Sequence, residues 1–230
     1  KSVDLGGRRI IKKKKKHINA KECEPNKKTK TAFFESLSKI NLTVKPGTKF
    51  NYSNAGTNLM GYILEKVYKK PFQKLIMTEV VAKAQMEDTH FDVPKNKRHR
   101  LANGYLLCKP MPETKLSNTL WGSEGALTST TSDILKYIIY QFKNNAIVKE
   151  SHKKIFEAGP DYWICYFWWS IEDQNYDLHF RHDGGISRAK NVLAIFPEKK
   201  IGISIITNES SVRVNQKLND LMHNIDNELK

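Results

Sequence analysis

In four segments between residues 31 and 142, apolar residues recur every three to four positions, which is typical of amphipathic helices. Pro46-Gly47 predicts a turn after the first helix, and Asn54 or Thr57 can cap the second. Pro71 fits the first turn of a third helix, and the polar run at 129–133 offers caps for a fourth. The four apolar stripes are Phe33, Phe34, Leu37 and Ile40; Leu59, Met60, Ile63, Leu64 and Val67; Phe72, Leu75 and Ile76; and Ile134, Tyr137, Ile138 and Phe142.

From about residue 160 onward the pattern shortens to a period of two, which indicates β-strands. The connections at 173–175 and 197–200 have the composition of hairpin turns, and an amphipathic helix follows at 212–229. Helices, then antiparallel strands, then a closing helix predict an α+β fold, or α/β with an antiparallel sheet. The predicted strands occupy residues 162–171, 176–181, 191–196 and 201–207.

The charge of the chain is concentrated at its start. The formal net charge is +15, and residues 1–30 alone hold 12 Lys or Arg against 3 Asp or Glu. Five consecutive lysines begin at Lys12, but no aromatic residue that could stack on a base precedes Phe33. We therefore expect a solvated or disordered arm at 1–30 and a domain at 31–230. The alternative, an arm that binds nucleic acid or a membrane surface, rests on charge alone, and no nucleic-acid partner is predicted.

The rest of the composition narrows the class of protein further. An apolar content of 39% supports a packed core. Cys23, Cys108 and Cys165 are too far apart for a disulfide framework or a zinc motif, so neither a metal nor another cofactor is predicted. No apolar run reaches the roughly 20 residues of a membrane-spanning helix. Because the sequence starts without Met and without a signal segment, we interpret it as part of a longer protein.

Two short segments carry the candidate chemistry. The segment at 50–56 offers the Tyr52 phenol and the Asn54 amide just before a helix begins. The segment at 181–185 offers the His182 imidazole followed by Gly184 and Gly185, which allow a ligand to approach the backbone closely. Together they supply a proton acceptor, a hydrogen-bonding amide and an oxyanion donor. Taken alone, the first segment is equally well explained as helix capping and the second as a hairpin turn.

In order and with their flanks, these segments resemble the serine hydrolases of the β-lactamase and penicillin-binding class. The closest resemblance is to the class C β-lactamase, D-alanyl-D-alanine carboxypeptidase and esterase branch, whose motifs are S-x-x-K, Y-x-N, and K-T-G or H-x-G. Tyr52-Ser53-Asn54 matches Y-x-N, and His182-Asp183-Gly184 matches H-x-G. The run at 125–133 resembles the glycine-rich turn of the family, and the similarity covers roughly residues 31–210.

The resemblance implies a role for each residue of the two motifs. Tyr52 would be the general base, or part of its proton relay, and Asn54 would hold the amide carbonyl of the substrate. His182 would replace the usual lysine in the proton network or meet the substrate carboxylate. Gly184 would contact the substrate, and the N–H of Gly185 would be one oxyanion donor.

The serine nucleophile is the missing component. The S-x-x-K string that precedes Tyr52, Ser36 to Lys39, begins 16 residues before it and lies inside a predicted helix. The N–H of Ser36 would be bonded to the previous helical turn and could not stabilise an oxyanion. We therefore expect the S-x-x-K helix and the first strands to be absent from this chain, which leaves it inactive alone and exposes apolar sheet surface. Arg188 also departs from the family, and could either crowd the acyl pocket or bind a substrate carboxylate.

These features favour a serine acyl-hydrolase that acts on a small-molecule or peptide acyl substrate such as a D-Ala-D-Ala peptide, a β-lactam or a small ester. The H-x-G motif in place of K-T-G mildly favours an esterase or peptidase. The alternative is a non-catalytic relative that binds peptides or envelope polymer. The habit of the family implies a bacterial protein located outside the cytoplasm, in the periplasm or cell envelope.

Overall fold

A computed structural model describes residues 29–113, 122–143, 145–173 and 176–229 of the chain. These residues form helices and antiparallel strands. The predicted α+β fold is therefore confirmed, while residues 1–28 of the predicted basic arm lie outside the described ranges. The helices are α1 (Lys30–Ser38), α2 (Asn54–Tyr68), α3 (Phe72–Ile76), α4 (Gly122–Gly125), α5 (Thr131–Gln141), α6 (Ala146–Ser151) and α7 (Val212–Glu228), with a π-helical turn at Met77–Val81 and a 3-10 helix at Lys95–Arg100. The strands are β1 (Gly104–Leu106), β2 (Lys109–Met111), β3 (Phe156–Gly159), β4 (Tyr162–Ile164), β5 (Trp169–Asp173), β6 (Tyr176–Ile186), β7 (Ala189–Phe196) and β8 (Ile201–Thr207).

The strands from β3 to β8 form one antiparallel sheet in the order of the sequence. Strand β7 pairs along its whole length, with β6 from Phe180↔Ile195 to Ile186↔Ala189 and with β8 down to Phe196↔Ile201. The four-residue connection predicted at 197–200 is therefore the β7–β8 hairpin. Strands β1 and β2 form a separate two-stranded antiparallel hairpin.

The central strands are covered on both faces because their side chains alternate. Helix α7 covers one face and α5 the other, so the apolar residues of β7 are buried on both sides. The core on the α7 side contains Val192, Ala194, Phe196, Ile203, Leu218 and Met222. The core on the α5 side contains Cys165, Trp168, Phe180 and Ile195, with Tyr137, Phe142 and Leu193 packed against it.

The predicted strand at 162–171 is wrong in one respect, because it is two strands. Phe167 lies between β4 and β5 with a φ of 64°, and the N–H of Cys165 donates to the carbonyl of Trp168 over 2.8 Å. This tight turn reverses the chain within an apolar run that carries no Gly or Pro. The same lack of a turn residue explains why the periodicity alone did not predict it.

The predicted buried stripe of α2 is also wrong. The residues that α2 buries are Asn58 and Gly61, which face α4, where the Ser123 hydroxyl donates to Asn58 Oδ1 over 2.7 Å. Close helix packing at the glycine and a buried hydrogen bond therefore set the orientation of α2, rather than its apolar periodicity. The residues of the predicted stripe that are exposed are Met60 (40%), Ile63 (44%) and Val67 (67%).

The contact of α5 with β8 gives a direct test of this packing. A methyl group on Gly202 would lie 2.1 Å from Ile138 Cγ2, so α5 would have to move away from the sheet. We expect Gly202→Ala to lower the free energy of unfolding by about 1–3 kcal/mol, measured by urea denaturation. Gly159→Ala in β3 is the matched control, because no heavy atom lies within 4 Å of its added methyl group. Equal stability of the two variants would contradict the packing described.

His152, at the end of α6, is the titratable group most affected by burial in the α5-side core. Its ring stacks on Phe180 with 4.0 Å between centroids and meets Trp168 edge-on at 5.7 Å. Burial lowers the pKa of His152 from 6.5 to about 4, because the charged imidazolium would lose its hydration. The folded state therefore holds the neutral ring at pH 7.

This burial predicts an acid-sensitive stability. The unfolded chain takes up the proton at a higher pH than the folded chain does, so stability is complete above pH 6.5 and falls as the pH drops towards about 4. The loss should be on the order of 2 kcal/mol once solvent screening is allowed for. We expect His152→Phe, which keeps the stacking but cannot titrate, to flatten the pH dependence measured by denaturant unfolding between pH 7 and 4. His99→Phe on the exposed 3-10 helix should keep the dependence of the parent chain.

Candidate active site

The His182 segment is the end of a strand and not a turn. Strand β6 continues to Ile186, and Gly184 and Gly185 pair with Asn191 and Lys190 of β7 in a regular ladder. The alternative explanation of this segment as a hairpin turn is therefore wrong, and the strand predicted at 176–181 ends five residues later than expected. The connection to β7 lies further on, at Ser187 and Arg188.

Strand β6 extends beyond its other neighbour. The last pair between β5 and β6 at this end is Trp169↔Arg181, so the five residues from His182 to Ile186 pair with β7 alone among the described strands. One edge of this extension is hydrogen-bonded to β7. The other edge has no such partner among the described strands, so the backbone N–H groups that point that way can donate to a ligand beside it.

Tyr52 lies at this open edge. Phe50, two residues earlier, packs edge-on against Trp169 at the start of β5, with 5.1 Å between ring centroids. Ser53 then caps α2, since its hydroxyl accepts from the N–H of Gly56 over 3.0 Å. The predicted caps, Asn54 and Thr57, were wrong because α2 begins at Asn54, which is one residue earlier than a cap at Asn54 would require and four residues earlier than a cap at Thr57 would.

A cleft of about 430 Å³ opens between these two segments. Tyr52 and His182, which are 130 positions apart in the sequence, both line it, and so do Gly184 and Gly185. The Tyr52 side chain is 58% exposed, so its hydroxyl can reach a ligand. The other residues that line the cleft are Trp169, Asp183, Lys190, Asn191, Val192, Asn215, Leu218 and Asn219. Among the described residues that line it there is no serine, threonine or cysteine.

The electrostatics of the cleft favour a neutral imidazole. Burial lowers the pKa of His182, while the carboxylate of Asp183 and a hydrogen bond with its backbone raise it by less. Asp183 is itself held by Arg181, whose Nε and Nη2 donate to its two carboxylate oxygens over 2.7 and 2.8 Å. A neutral His182 can accept a proton at neutral pH, which a lysine in the same position cannot do.

Comparison with known proteins decides the family. The sequence profile of the β-lactamase family matches residues 15–226 of this chain. The chain belongs to the β-lactamase family. This is a family of serine hydrolases.

The fold of this β-lactamase family member is shared with several solved structures. A β-lactamase/D-alanine carboxypeptidase from Yersinia pestis, complexed with citrate, has a TM-score of 0.75 and 21% identity over 87% of this chain and 61% of that one. A class C β-lactamase has a TM-score of 0.73 and 18% identity over 81% of this chain and 60% of its own. At these identities the similarity shows the fold alone.

The curated relatives are longer than this chain. Protein flp of Staphylococcus aureus (strain N315) is 28% identical over 176 residues, which make up 73% of this chain and 35% of that protein. A β-lactamase of Lysobacter lactamgenus is 30% identical over 108 residues, or 47% of this chain and 27% of that protein. The chain therefore spans about a third of the length of the first of these relatives.

Three residues that the family motifs suggested do not line the cleft. Asn54 is the first residue of α2 and is exposed, and its carbonyl accepts from Asn58 Nδ2 over 3.0 Å. Its role towards a substrate carbonyl stays a prediction. Ser36 and Lys39 lie on and just after α1, also exposed, and the Ser36 hydroxyl donates to the carbonyl of Ala32 over 2.8 Å.

Arg188 neither crowds the acyl pocket nor reaches into the cleft. Its guanidinium donates to the carbonyl of Ala102 over 2.6 Å. Its side chain packs so closely on Gly104 of β1 that a methyl group there would lie 2.1 Å from Arg188 Cβ. The side chain fastens the β6–β7 turn to the β1–β2 hairpin and is not among the residues that line the cleft. Its suggested role towards a substrate carboxylate stays a prediction.

A second contact holds the same hairpin in place. The carboxylate of Glu209, after β8, accepts from the N–H groups of Leu107 (2.9 Å), Cys108 (3.2 Å) and Ser211 (2.9 Å). Burial opposes its ionisation, but these backbone donors outweigh it and lower the pKa of Glu209. The end of β6 that carries the glycines is thus supported from both adjoining loops.

Several residues that line the cleft were missed from the sequence. Trp169, Lys190 and Asn191 lie on strands next to the predicted segment. Asn215 and Asn219 lie on α7, and their spacing of four places both on one side of that helix. That spacing was visible in the sequence, but nothing local indicated that this side of α7 faces the end of β6.

The environment of His182 gives a test with a defined sign. Removing the Asp183 carboxylate removes the main stabilisation of the imidazolium, so Asp183→Asn should lower the pKa of His182 further, as measured by NMR titration of the ring. Asp220→Asn is the control, since Asp220 lies on α7 and is not among the causes of the His182 shift. A rise in the His182 pKa in Asp183→Asn would show that the carboxylate does not act on this ring.

Proposed function

We propose that this chain supplies the proton-transfer side of a serine acyl-transfer site, in a hydrolase of the D-Ala-D-Ala carboxypeptidase, esterase or β-lactamase type. The observation that supports it is the position of Tyr52 and His182 on one cleft beside the open edge of β6. Acyl transfer needs a base for the hydroxyl proton of the nucleophile and N–H donors for the oxyanion. The two segments offer both within a single opening.

In this proposal each group has one task. The Tyr52 oxygen accepts the proton of the attacking hydroxyl while the phenolic proton of Tyr52 passes to the neutral His182. The N–H of Gly185 donates to the oxyanion. Gly184 keeps this stretch of backbone open to the substrate, because a methyl group there would lie 2.7 Å from Asn191 Nδ2 and displace that side chain.

The nucleophile is the component that the cleft lacks among the described residues. Ser36 lies on α1 with its hydroxyl bonded to Ala32, so we do not assign it this role. We propose instead that a serine outside the described residues provides the attack, and that the described part alone does not form an acyl-enzyme. The relatives that show the same fold include D-alanine carboxypeptidases and a class C β-lactamase in complex with cefoxitin. By analogy, the substrate class is a D-Ala-D-Ala peptide, a β-lactam or a small ester, and the location is outside the cytoplasm.

A covalent probe tests this function. We expect a fluorescent penicillin or fluorophosphonate to label the complete gene product, and Tyr52→Phe and His182→Ala to slow labelling by about 100-fold or more. Tyr68→Phe is the matched control, since Tyr68 is as exposed as Tyr52, at 58%, but lies at the far end of α2. It should label at the rate of the parent protein.

The second candidate function is a non-catalytic binder of peptides or envelope polymer. The lack of a serine, threonine or cysteine among the described residues that line the cleft favours it. Absence of labelling of the complete gene product, with β-lactam binding still detected by calorimetry, would favour this binder over the hydrolase. Labelling that Tyr52→Phe and His182→Ala leave unchanged would reject the roles given to these two residues.

A further inference from the structure

A second depression continues the cleft along α7. It has a volume of about 260 Å³ and adjoins the first at Asn219, which lines both. The two together form a groove between strands β4 to β6 and helix α7. The residues that line the second depression are Tyr162, Ile171, His179, Arg181, Gln216, Asn219, Asp220, Met222 and His223.

Most of the side chains that line the groove lie on one face of the sheet. Trp169 pairs with Arg181, whose guanidinium hydrogen-bonds to Asn219 of α7, so both side chains are on the α7 side. Tyr162 pairs with Ile171, and Ile171 with His179, which stacks on Phe196 in the α7-side core. His182 belongs to the opposite face by the same alternation, and it lines only the first depression, which the groove shares with the candidate active site. The ligand-binding part of the groove is therefore mainly its α7 side.

Aromatic rings form one side of the groove. The rings of Trp169 and Tyr162 are 5.6 Å apart, and Trp169 also meets Phe50 at 5.1 Å. The contacts between these rings are edge-on, with interplanar angles of 67° and 77°. Such a row offers flat apolar faces beside polar groups, which suits a ligand that has both an apolar face and a polar rim.

Amide side chains form the other side. Lys190 Nζ donates to Asn215 Oδ1 over 2.6 Å, and Arg181 donates to Asn219 Oδ1. Each of these amides thus uses its oxygen and keeps two N–H donors for a ligand. Gln216 Nε2 donates to Asp220 Oδ1 over 2.7 Å, which holds a third amide in place on the same helix.

The charges of the groove balance. Arg181 is paired with Asp183, and Lys190 and Asp220 add one charge of each sign. A groove with paired charges does not concentrate a polyanion, so a nucleic acid or a phosphate ligand is not favoured. Uncharged hydroxyl and amide groups, which both donate and accept, match it better.

We propose that this groove binds a neutral oligosaccharide, with acetamido sugars preferred because their amide carbonyl accepts from Asn215 and Asn219. The sugar rings pack their C–H faces on Trp169 and Tyr162. The volume of the first depression alone, about 430 Å³, is within the roughly 300–1,000 Å³ of small-ligand sites. This inference does not rest on acyl transfer, because it requires neither Tyr52 nor a nucleophile.

Calorimetric titration of the full chain with hexa-N-acetylchitohexaose tests the proposal. We expect saturable binding that Trp169→Leu weakens about tenfold, since the largest aromatic face is lost. Asn215→Ala should weaken binding severalfold, and it is expected to fold because Asn215 is an exposed helical residue and alanine favours helix. Phe167→Leu is the matched control, being an aromatic residue that is 55% exposed but does not line the groove.

The outcomes separate this site from the acyl-transfer site. Absence of saturable binding, or equal binding by the parent chain, Trp169→Leu and Asn215→Ala, overturns the proposal. Tighter binding of a phosphate-rich polymer than of the oligosaccharide does so as well. Covalent labelling of the complete gene product by a β-lactam, measured separately, remains informative about the acyl site whichever result is obtained.

Discussion

The continuation of the β6–β7 ladder beyond the end of β5 is the constraint on which the candidate site depends. Pairing from Phe180↔Ile195 to Ile186↔Ala189 keeps β6 extended, while the other edge has no strand partner among the described residues after Arg181. A backbone that is held on one edge and open on the other can present N–H groups to a ligand without losing its geometry. Arg188 and Glu209 fasten the loops around this extension, so its position does not depend on the cleft being occupied.

Much of the fold could be predicted from the sequence because local pattern and tertiary packing agree there. Strand β8 and helix α7 carry regular apolar periods, and their predicted bounds are within one residue of the observed ones. The strand predicted at 176–181 stopped before Gly184 and Gly185 because glycine is permissive and interrupts a β-branched run. Pairing with β7 overrides that local preference, since strand formation depends on the neighbouring strand more than on the residue itself.

The motif residues of the candidate site could be predicted from the order of the motifs in the sequence, but the contacts that position them could not. Tyr52 and His182 could be named from their flanks, but the contact between Arg188 and Ala102 spans 86 positions and has no local pattern. The same holds for α2, where a buried hydrogen bond between Ser123 and Asn58 sets the orientation of the helix and exposes its apolar stripe. Single polar contacts between distant segments are invisible to periodicity, and they decide which face of an element is covered.

Because side chains alternate along β6, the two faces of this strand carry different functional groups. His182 and Gly184 lie on the α5 side, whereas Arg181 and Asp183 lie on the α7 side, where Arg181 also reaches Asn219. The Asp183 carboxylate acts on one residue of each face. It pairs with Arg181, and it raises the pKa of His182 against the larger effect of burial. A ligand in the α7-side groove that drew Arg181 away from Asp183 would leave that carboxylate to act more strongly on His182. The proton affinity of the proposed acyl-transfer site would then depend on what occupies the groove, through a single ion pair.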